Sequence, residues 1–262
     1  MSVITNIDEM RKNGTSCLTY GMHVLNQPSI VSPRERYESI TIPGKSGTLT
    51  QKEGNEIHDS IALTATCIID STTYVYEGVT HDRVKEIVDW ISGEGEYEFY
   101  GHGDGYYKGR LANQVSFDRV VQGNPHKAFS FQFDCQPYFY YNSGKTVLVQ
   151  NESNAWYNNP GNIPSLPLIR VSGSGNGTIM TVDGTAIITG LTEGVPLYLD
   201  CEAEVAYTED PQTHIKLLAG TMVSIAQVEG RYKWPDLPAG DFNFVYTDGI
   251  TGVQITPRWR KK

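Results

Sequence analysis

Hydrophobic and polar positions alternate most cleanly near the middle of the chain. Phe129, Phe131, Phe133 and Cys135 fall on one side of a period-two pattern, and Ser130, Gln132, Asp134 and Gln136 on the other. Successive side chains of a strand point to opposite faces of its sheet, so this run predicts a half-buried strand. Pro137 has no backbone N–H to give to a ladder, and the strand is expected to end or bend there. Ile61, Leu63, Ala65, Cys67 and Ile69 make a second run of the same kind, predicted as a central strand. Between the two, Val84, Ile87, Val88 and Ile91 recur at helical spacing and predict a helix over 80–93. Thr80 is placed to cap it, Asp82 suits its first turn, and Gly93 can end it in the left-handed region. It is the one convincing helix, and without a helical partner it must cover a sheet.

The remaining pattern is short strands and turns. Residues 16–25 read as a strand that stops at Asn26-Gln27-Pro28. Residues 36–42 and 49–51 read as the arms of a hairpin around Pro43-Gly44-Lys45-Ser46-Gly47, where glycine supplies positive φ and proline a preset one. The arms look polar on both faces. A lone polar hairpin is marginal in water, so this one is expected to gain order by pairing with something else. A second hairpin joins 97–100 to 106–111, a weaker strand spans 115–121, and Gly123-Asn-Pro125 turns the chain into the Phe129 strand. After Tyr141 the character changes. Residues 151–162 read as an Asn-rich loop, and short strands then recur at 166–172, 177–182, 185–189, 196–201, 203–208, 222–228, 241–246 and 251–256. Asp183-Gly184 marks a tight hairpin among them. Repeated strands without a helix predict a β-sandwich. The expected organisation is mainly β: a first domain over 1–137, with the helix and hairpins, and a second over 138–262.

Composition agrees. The 262 residues include 16 Tyr and 26 Gly, with 39% hydrophobic residues, a balance that favours strands. No segment approaches the roughly 20 apolar residues of a membrane span, and the first residues lack the basic-then-apolar pattern of a secretory signal. The net charge of −9 argues against a nucleic-acid partner, which demands clustered Lys and Arg. Arg258-Trp-Arg-Lys-Lys262 is the one dense basic run. Cys17, Cys67, Cys135 and Cys201 have no metal-site spacing and read as reduced core residues.

Chemistry is sparse. His58-Asp59, His81-Asp82 and His102-Gly-Asp104 are the only pairings from which an acid–base or metal site could be drawn, and each has an ordinary explanation in a strand entry, a helix start or a turn. No nucleophile elbow, zinc-protease motif or phosphate loop is present; Gly173-Ser-Gly-Asn-Gly177 lacks a following helix and reads as a hairpin turn. No catalytic, metal or cofactor residues are expected. Trp156 and Trp234 stand in loops where a ring can stack on a sugar or a partner.

Four stretches in order resemble one known family, the distal tail proteins of siphophages and their prophage relatives. They are Ile42-Pro-Gly-Lys-Ser-Gly-Thr-Leu49, similar to the family's hairpin tip; the single helix with its Gly turn; Phe131-Gln-Phe-Asp-Cys-Gln-Pro-Tyr138, similar to its strand before the domain junction; and Pro160–Ile169 with Gly173-Ser-Gly175 and Ile255-Thr-Pro-Arg-Trp-Arg260, similar to its second domain. Ser46 stands where the family often has Asp. The resemblance implies an N-terminal β-sandwich-like domain, with one helix and an extended hairpin, that assembles as a homo-hexameric ring, followed by a galectin-like β-sandwich. It implies a virion protein at the tail tip, built in the host cytoplasm, with the tail tube protein, the tail-tip hub protein and receptor-binding proteins as partners. Ile42, Pro43, Gly44, Lys45, Ser46, Gly47 and Leu49 would then reach a neighbouring subunit. Pro137, Tyr138, Phe139 and Tyr140 would form the joint at which the outer domain leaves the ring. The galectin sugar motif is absent, so a carbohydrate-binding module at the host surface is the alternative function, and Trp156 and Trp234 are its contact residues.

Overall fold

The computed structural model describes residues 3–52, 57–69, 81–117, 128–209, 216–228, 231–247 and 249–262. The protein is mainly β, with 54% of the described residues in strands and bridges and 8% in helix. Contacts divide it into two compact units, 1–139 with Lys262, and 140–261. Thr80, Gly123-Asn-Pro125 and most of the strand expected at 115–121 lie outside the described residues; Val115–Phe117 is not a strand.

The first unit contains β1 (Met10–Lys12), β2 (Thr15–Ser16), β3 (Met22–Asn26), β4 (Tyr37–Thr41), β5 (Thr48–Lys52), β6 (Ile61–Ile69), α1 (His81–Ile91), β7 (Glu94–Phe99), β8 (Gly105–Leu111) and most of β9 (Phe129–Tyr141). One sheet runs β2-β1-β7-β8-β9-β6-β3. At its centre the two alternating runs lie in register, Ile61 opposite Cys135, Leu63 opposite Phe133, Ala65 opposite Phe131 and Cys67 opposite Phe129. Every one of these side chains is buried, so the two apolar faces form one surface. Tyr97, Phe99, Met10 and Met22 extend it. Helix α1 buries Ile87 and Ile91, packs Trp90 at a tilt against Tyr20 with ring centroids 5.2 Å apart, and leaves Val88 exposed, so its apolar stripe is narrower than the spacing predicts. Gly93 ends it at φ +75°, as expected for a left-handed cap.

Three expectations for this unit are corrected. Residues 16–25 are not one strand: Ser16 Oγ accepts from the Leu18 N–H, Cys17–Tyr20 coil into a 3-10 turn, and Gly21 at φ +62° closes it before β3. The strand at Phe129 does not stop at Pro137 but runs on to Tyr141. Cys135 is its last partner residue toward β6, so on that side the missing N–H of Pro137 breaks no bond. Met10–Lys12, not expected as a strand, pairs with β7.

The second unit is a two-sheet sandwich. Its strands are β10 (Leu148–Gln150), β11 (Ala155–Asn159), β12 (Leu168–Gly173), β13 (Gly175–Met180), β14 (Thr185–Leu191), β15 (Leu197–Asp200), β16 (Val205–Glu209), β17 (Lys216–Leu218), β18 (Val223–Ile225), β19 (Gln227–Val228), β20 (Arg231–Tyr232), β21 (Gly240–Tyr246), β22 (Ile250–Thr256) and β23 (Arg260–Lys261). One sheet runs β10-β22-β12-β15-β16-β17 and the other β11-β21-β13-β14-β18. Alternate residues of both, Ile169, Val171, Leu197, Leu199, Val253 and Ile255 from the first and Ile179, Ile188, Phe242 and Phe244 from the second, fill the space between them. The Asp183-Gly184 hairpin forms, with the Thr181 N–H donating to the Gly184 carbonyl across Val182 and Asp183.

Two expectations are corrected here. Gly173–Gly177 is a corner between sheets and not a hairpin, since β12 and β13 pair with different strands. A Cβ on Gly173 would lie 2.0 Å from the Gly249 carbonyl oxygen, so only glycine permits that crossing. The Asn-rich stretch 151–162 contains β11, paired along its length with β21. The Asn159 amide donates to the Ile163 and Leu237 carbonyls and its oxygen accepts from the Gly161 N–H, so the polar side chain satisfies backbone groups that a loop would leave to water.

A cluster of charged side chains links Arg258 to Asp200, Glu202 and Tyr140. Arg258 donates two hydrogen bonds to Asp200, at 2.7 and 3.1 Å, and lies 3.3 Å from Glu202, which accepts from the Tyr140 hydroxyl at 3.0 Å. Burial alone raises the Asp200 pKa, but the Arg258 hydrogen bond and charge, with the Ala203 and Glu202 N–H groups, hold it below its ordinary 3.8. A carboxyl with a lowered folded pKa contributes stability above its unfolded pKa and loses it as pH falls through the folded value. Thermal unfolding between pH 7 and pH 3 is therefore expected to show acid destabilisation below about pH 4. Arg258→Ala should cost about 2–3 kcal/mol at pH 7 and flatten that acid slope; a variant with an unchanged slope would show that the pair does not carry it.

Candidate functional site

Strands β4 and β5 pair with each other, Tyr37 opposite Lys52 through Thr41 opposite Thr48, and with no other strand among the described residues. The loop closes where the Lys45 N–H donates to the Ile42 carbonyl, and Gly44 and Gly47 take φ of +80° and +88°. Those two values explain both glycines of the tip, because an L side chain is strained there. Described side chains along both arms are exposed. The arms are not polar on both faces, as the composition suggested. Ile40 faces Leu49 directly, with Ile42 two residues further, and these side chains are 36%, 51% and 38% exposed; Glu38 shares their face, and Tyr37, Ser39, Thr41 and Thr48 occupy the other.

The root of the hairpin is stapled. The Arg36 N–H donates to the Ile57 carbonyl at 3.0 Å and the Asp59 N–H to the Arg34 carbonyl at 2.9 Å, while the Arg36 side chain meets Asp59 at 3.0 Å. Glu35 bridges to His58, which is buried edge-on against Tyr138 with its Nδ1 3.4 Å from the hydroxyl. The residues read as a His-Asp pairing thus fix a protruding element. Nothing in the sequence linked them to Arg36.

Of the other two pairings, His102 is held within the fold, and the His81 side chain lies outside the described residues. His102 donates from Nε2 to the Pro28 carbonyl at 2.9 Å and its Nδ1 lies 3.1 Å from the Tyr107 hydroxyl. Among the described residues no three His, Cys, Asp or Glu side chains gather as a metal site. All four cysteines are buried and free of disulfides, and burial pushes the Cys17 thiol up to about 11, far from a nucleophile's range. No helix among the described residues is long and apolar enough to cross a membrane.

Of the residues implied as a joint, Phe139 is buried edge-to-face on Tyr107 in the first unit. Tyr140 is buried in the second through Glu202. Pro137 and Tyr138 are half-buried. The two tryptophans do not stand alike. Trp234 packs against the sandwich core, and its carbonyl lies so close to Gly184 that a Cβ there would sit 2.6 Å from it. Trp156, on the edge strand β11, is 69% exposed.

A strand-rich unit carrying one helix and a free hairpin, followed in the chain by a two-sheet sandwich, is the fold class to which this protein belongs. Two solved phage structures share the fold over nearly the whole chain. The crystal structure of the SPP1 Dit protein, described as a paradigm of the hub adsorption apparatus in phages infecting Gram-positive bacteria, matches with a TM-score of 0.65 and 13% identity, covering 94% of this chain and 97% of that one. The baseplate of phage p2 in its activated conformation with Sr contains a chain that matches with a TM-score of 0.51 and 11% identity, covering 97% of each. No protein-family model and no curated protein sequence matches the chain.

Proposed function

We propose that this chain is a structural protein of a phage tail tip. The observation that carries the reading is the fold shared with the SPP1 hub protein along 94% of the chain; the four motifs that resemble distal tail proteins lend it independent support. In this reading six copies close a ring at the distal end of the tail tube, the β4–β5 hairpin of each reaching its neighbour. The ring joins the tube protein above to the tail-tip hub protein below, and the second unit faces the host-adhesion proteins. Assembly takes place in the host cytoplasm and the product resides at the virion tail tip. Catalysis has no part in it. A strand pair that joins no other strand among the described residues supports the reading physically, because the outer backbone groups of such a pair can hydrogen-bond another chain.

The test is the solution mass of the purified full chain with negative-stain images, alone and mixed with its tail tube protein. Six-fold rings are expected; a monomer at every concentration in both mixtures would overturn the proposal.

The exposure of Trp156 favours one second reading, glycan contact by the sandwich unit, since a free indole face stacks on sugar rings. Trp156→Ala is expected to leave the melting temperature within a degree or so, because the ring is already in water, and to abolish any binding to host-surface glycans on an array. Binding that survives the substitution would exclude Trp156 as the contact.

A further inference from the structure

We propose that the outer face of the β11–β21 edge is a binding site for an uncharged oligosaccharide. The inference rests on the glycan reading of the sandwich unit and adds the polar contacts and the charge class of the ligand. Tyr157, Phe242 and Phe244 pack into the sandwich core. The residues that alternate with them, Trp156, Asn158, Asp241 and Asn243, therefore stand on the outer face. Register places Trp156 opposite Asn243 and Asn158 opposite Asp241. The indole, 69% exposed, is flanked by two hydrogen-bonded pairs. Asn158 Nδ2 donates to Asp241 Oδ1 at 2.7 Å, and Asn243 Nδ2 donates to Asn154 Oδ1 at 2.8 Å. The entry to β11 fixes the second pair. Asn154 takes a left-handed φ of +68°, which asparagine tolerates, and its N–H donates to the Phe244 carbonyl at 3.1 Å. Just before it, the Ser153 hydroxyl donates to the Tyr246 carbonyl and accepts from the Tyr246 N–H.

The chemistry of this face selects its ligand. Each bond engages one N–H of an amide that has two, and Asp241 brings a second carboxylate oxygen. Asn154, Asn158 and Asp241 are exposed, so these groups can reach a ligand. A sugar ring answers them with an apolar C–H face for the indole and with hydroxyls that both donate and accept. Two residues of strand span about 7 Å, wider than one ring, so a ligand that meets Trp156 and both pairs is an oligosaccharide. Charge decides the class. The five strands of this sheet, β11, β21, β13, β14 and β18, contain no Lys or Arg, and Asp241 is their only acidic residue. An acidic glycan would meet a carboxylate there with no cation to offset it, and an uncharged one meets no such repulsion. A protein partner fits less well. The centre of a protein interface is apolar, whereas the residues beside and opposite Trp156 are three asparagines.

Affinity electrophoresis of the full chain in native gels tests the site, with dextran and laminarin as uncharged probes and polygalacturonate and heparin as acidic ones. Retardation by at least one uncharged polysaccharide is expected, and none by the acidic pair. Trp156→Ala should weaken the binding at least tenfold, and Asp241→Ala and Asn243→Ala at least threefold each, with melting temperatures moved by no more than about 2 °C. Ser224→Ala, exposed on the far edge strand of the same sheet, is the control and should bind as the unsubstituted chain does. Retardation that survives Trp156→Ala, that needs Trp156 but neither Asp241 nor Asn243, or that is confined to the acidic probes would overturn this site and leave the glycan reading standing. A chain that none of the four polysaccharides retards would overturn both. If Trp156→Ala then also lost co-purification with the tail-tip hub protein, the face would belong to a protein contact.

Discussion

Phe133→Ala is expected to destabilise the first unit by about 3–5 kcal/mol, which for a unit of this size lowers its melting temperature by roughly 10–17 °C. Phe133 has no exposed surface. Its ring lies 4.4 Å from that of Tyr97, 5.8 Å from Phe99 and 6.0 Å from Phe131, centroid to centroid, and it faces Leu63 across the β6–β9 ladder. Truncation removes the transfer free energy of a whole aromatic ring and leaves a cavity walled by other rings and strands. Strands locked by a ladder on both sides cannot collapse into such a space, so the cost should fall at the upper end for the chemistry. Gln132→Ala, one residue away on the outer face, is the control and should change stability by less than about 0.5 kcal/mol. Calorimetry of the full chain checks both. A shift of only a few degrees for Phe133→Ala would mean that these rings are not the core of the unit.

Deleting residues 44–48 should abolish ring closure while each subunit stays folded. The deletion removes both positive-φ glycines and Thr48, the residue that pairs with Thr41 to close the loop. Nothing else in the described structure leans on the tip: the side chains from Ile42 to Leu49 are exposed, and the staple at Arg34, Arg36, Ile57 and Asp59 lies at the other end of the arms. The melting temperature should therefore move by no more than a few degrees, and the circular dichroism of the two units should be retained. Assembly should go from rings to monomers. Rings that persist would show that the hairpin is not the connector, whatever the fold shares with tail-hub proteins.

Both expectations begin in sequence patterns, but to different depths. The period-two runs at Ile61–Ile69 and Phe129–Cys135 determined by themselves which residues are buried, because a strand has only two faces and one of these held no polar residue. The glycines at 44, 47 and 93 were legible for the same local reason: a turn or helix end that requires positive φ restricts the residue on the spot. The two-sheet sandwich followed from the recurrence of short strands.

What tertiary structure decided were the features in which a distant segment overrides local preference. Pro137 stays inside a strand because β6 stops pairing at Cys135. Ala155–Asn159 becomes a strand because Phe242 and Phe244 lie in register beside it. Gly173 is a corner because Gly249 crosses within reach. His58 and Asp59 read from the chain alone as a polar strand entry, and became a staple once Glu35, Arg36 and Tyr138 were placed around them. The hairpin shows the division most clearly. Its turn was written in Pro43, Gly44 and Gly47, whereas its separation from the other described strands and its exposed Ile40, Ile42 and Leu49 emerged only when every other described strand of the unit had found a partner elsewhere. Local sequence specifies the conformation of a segment; which of its surfaces remain bare depends on the contacts the rest of the chain has already used.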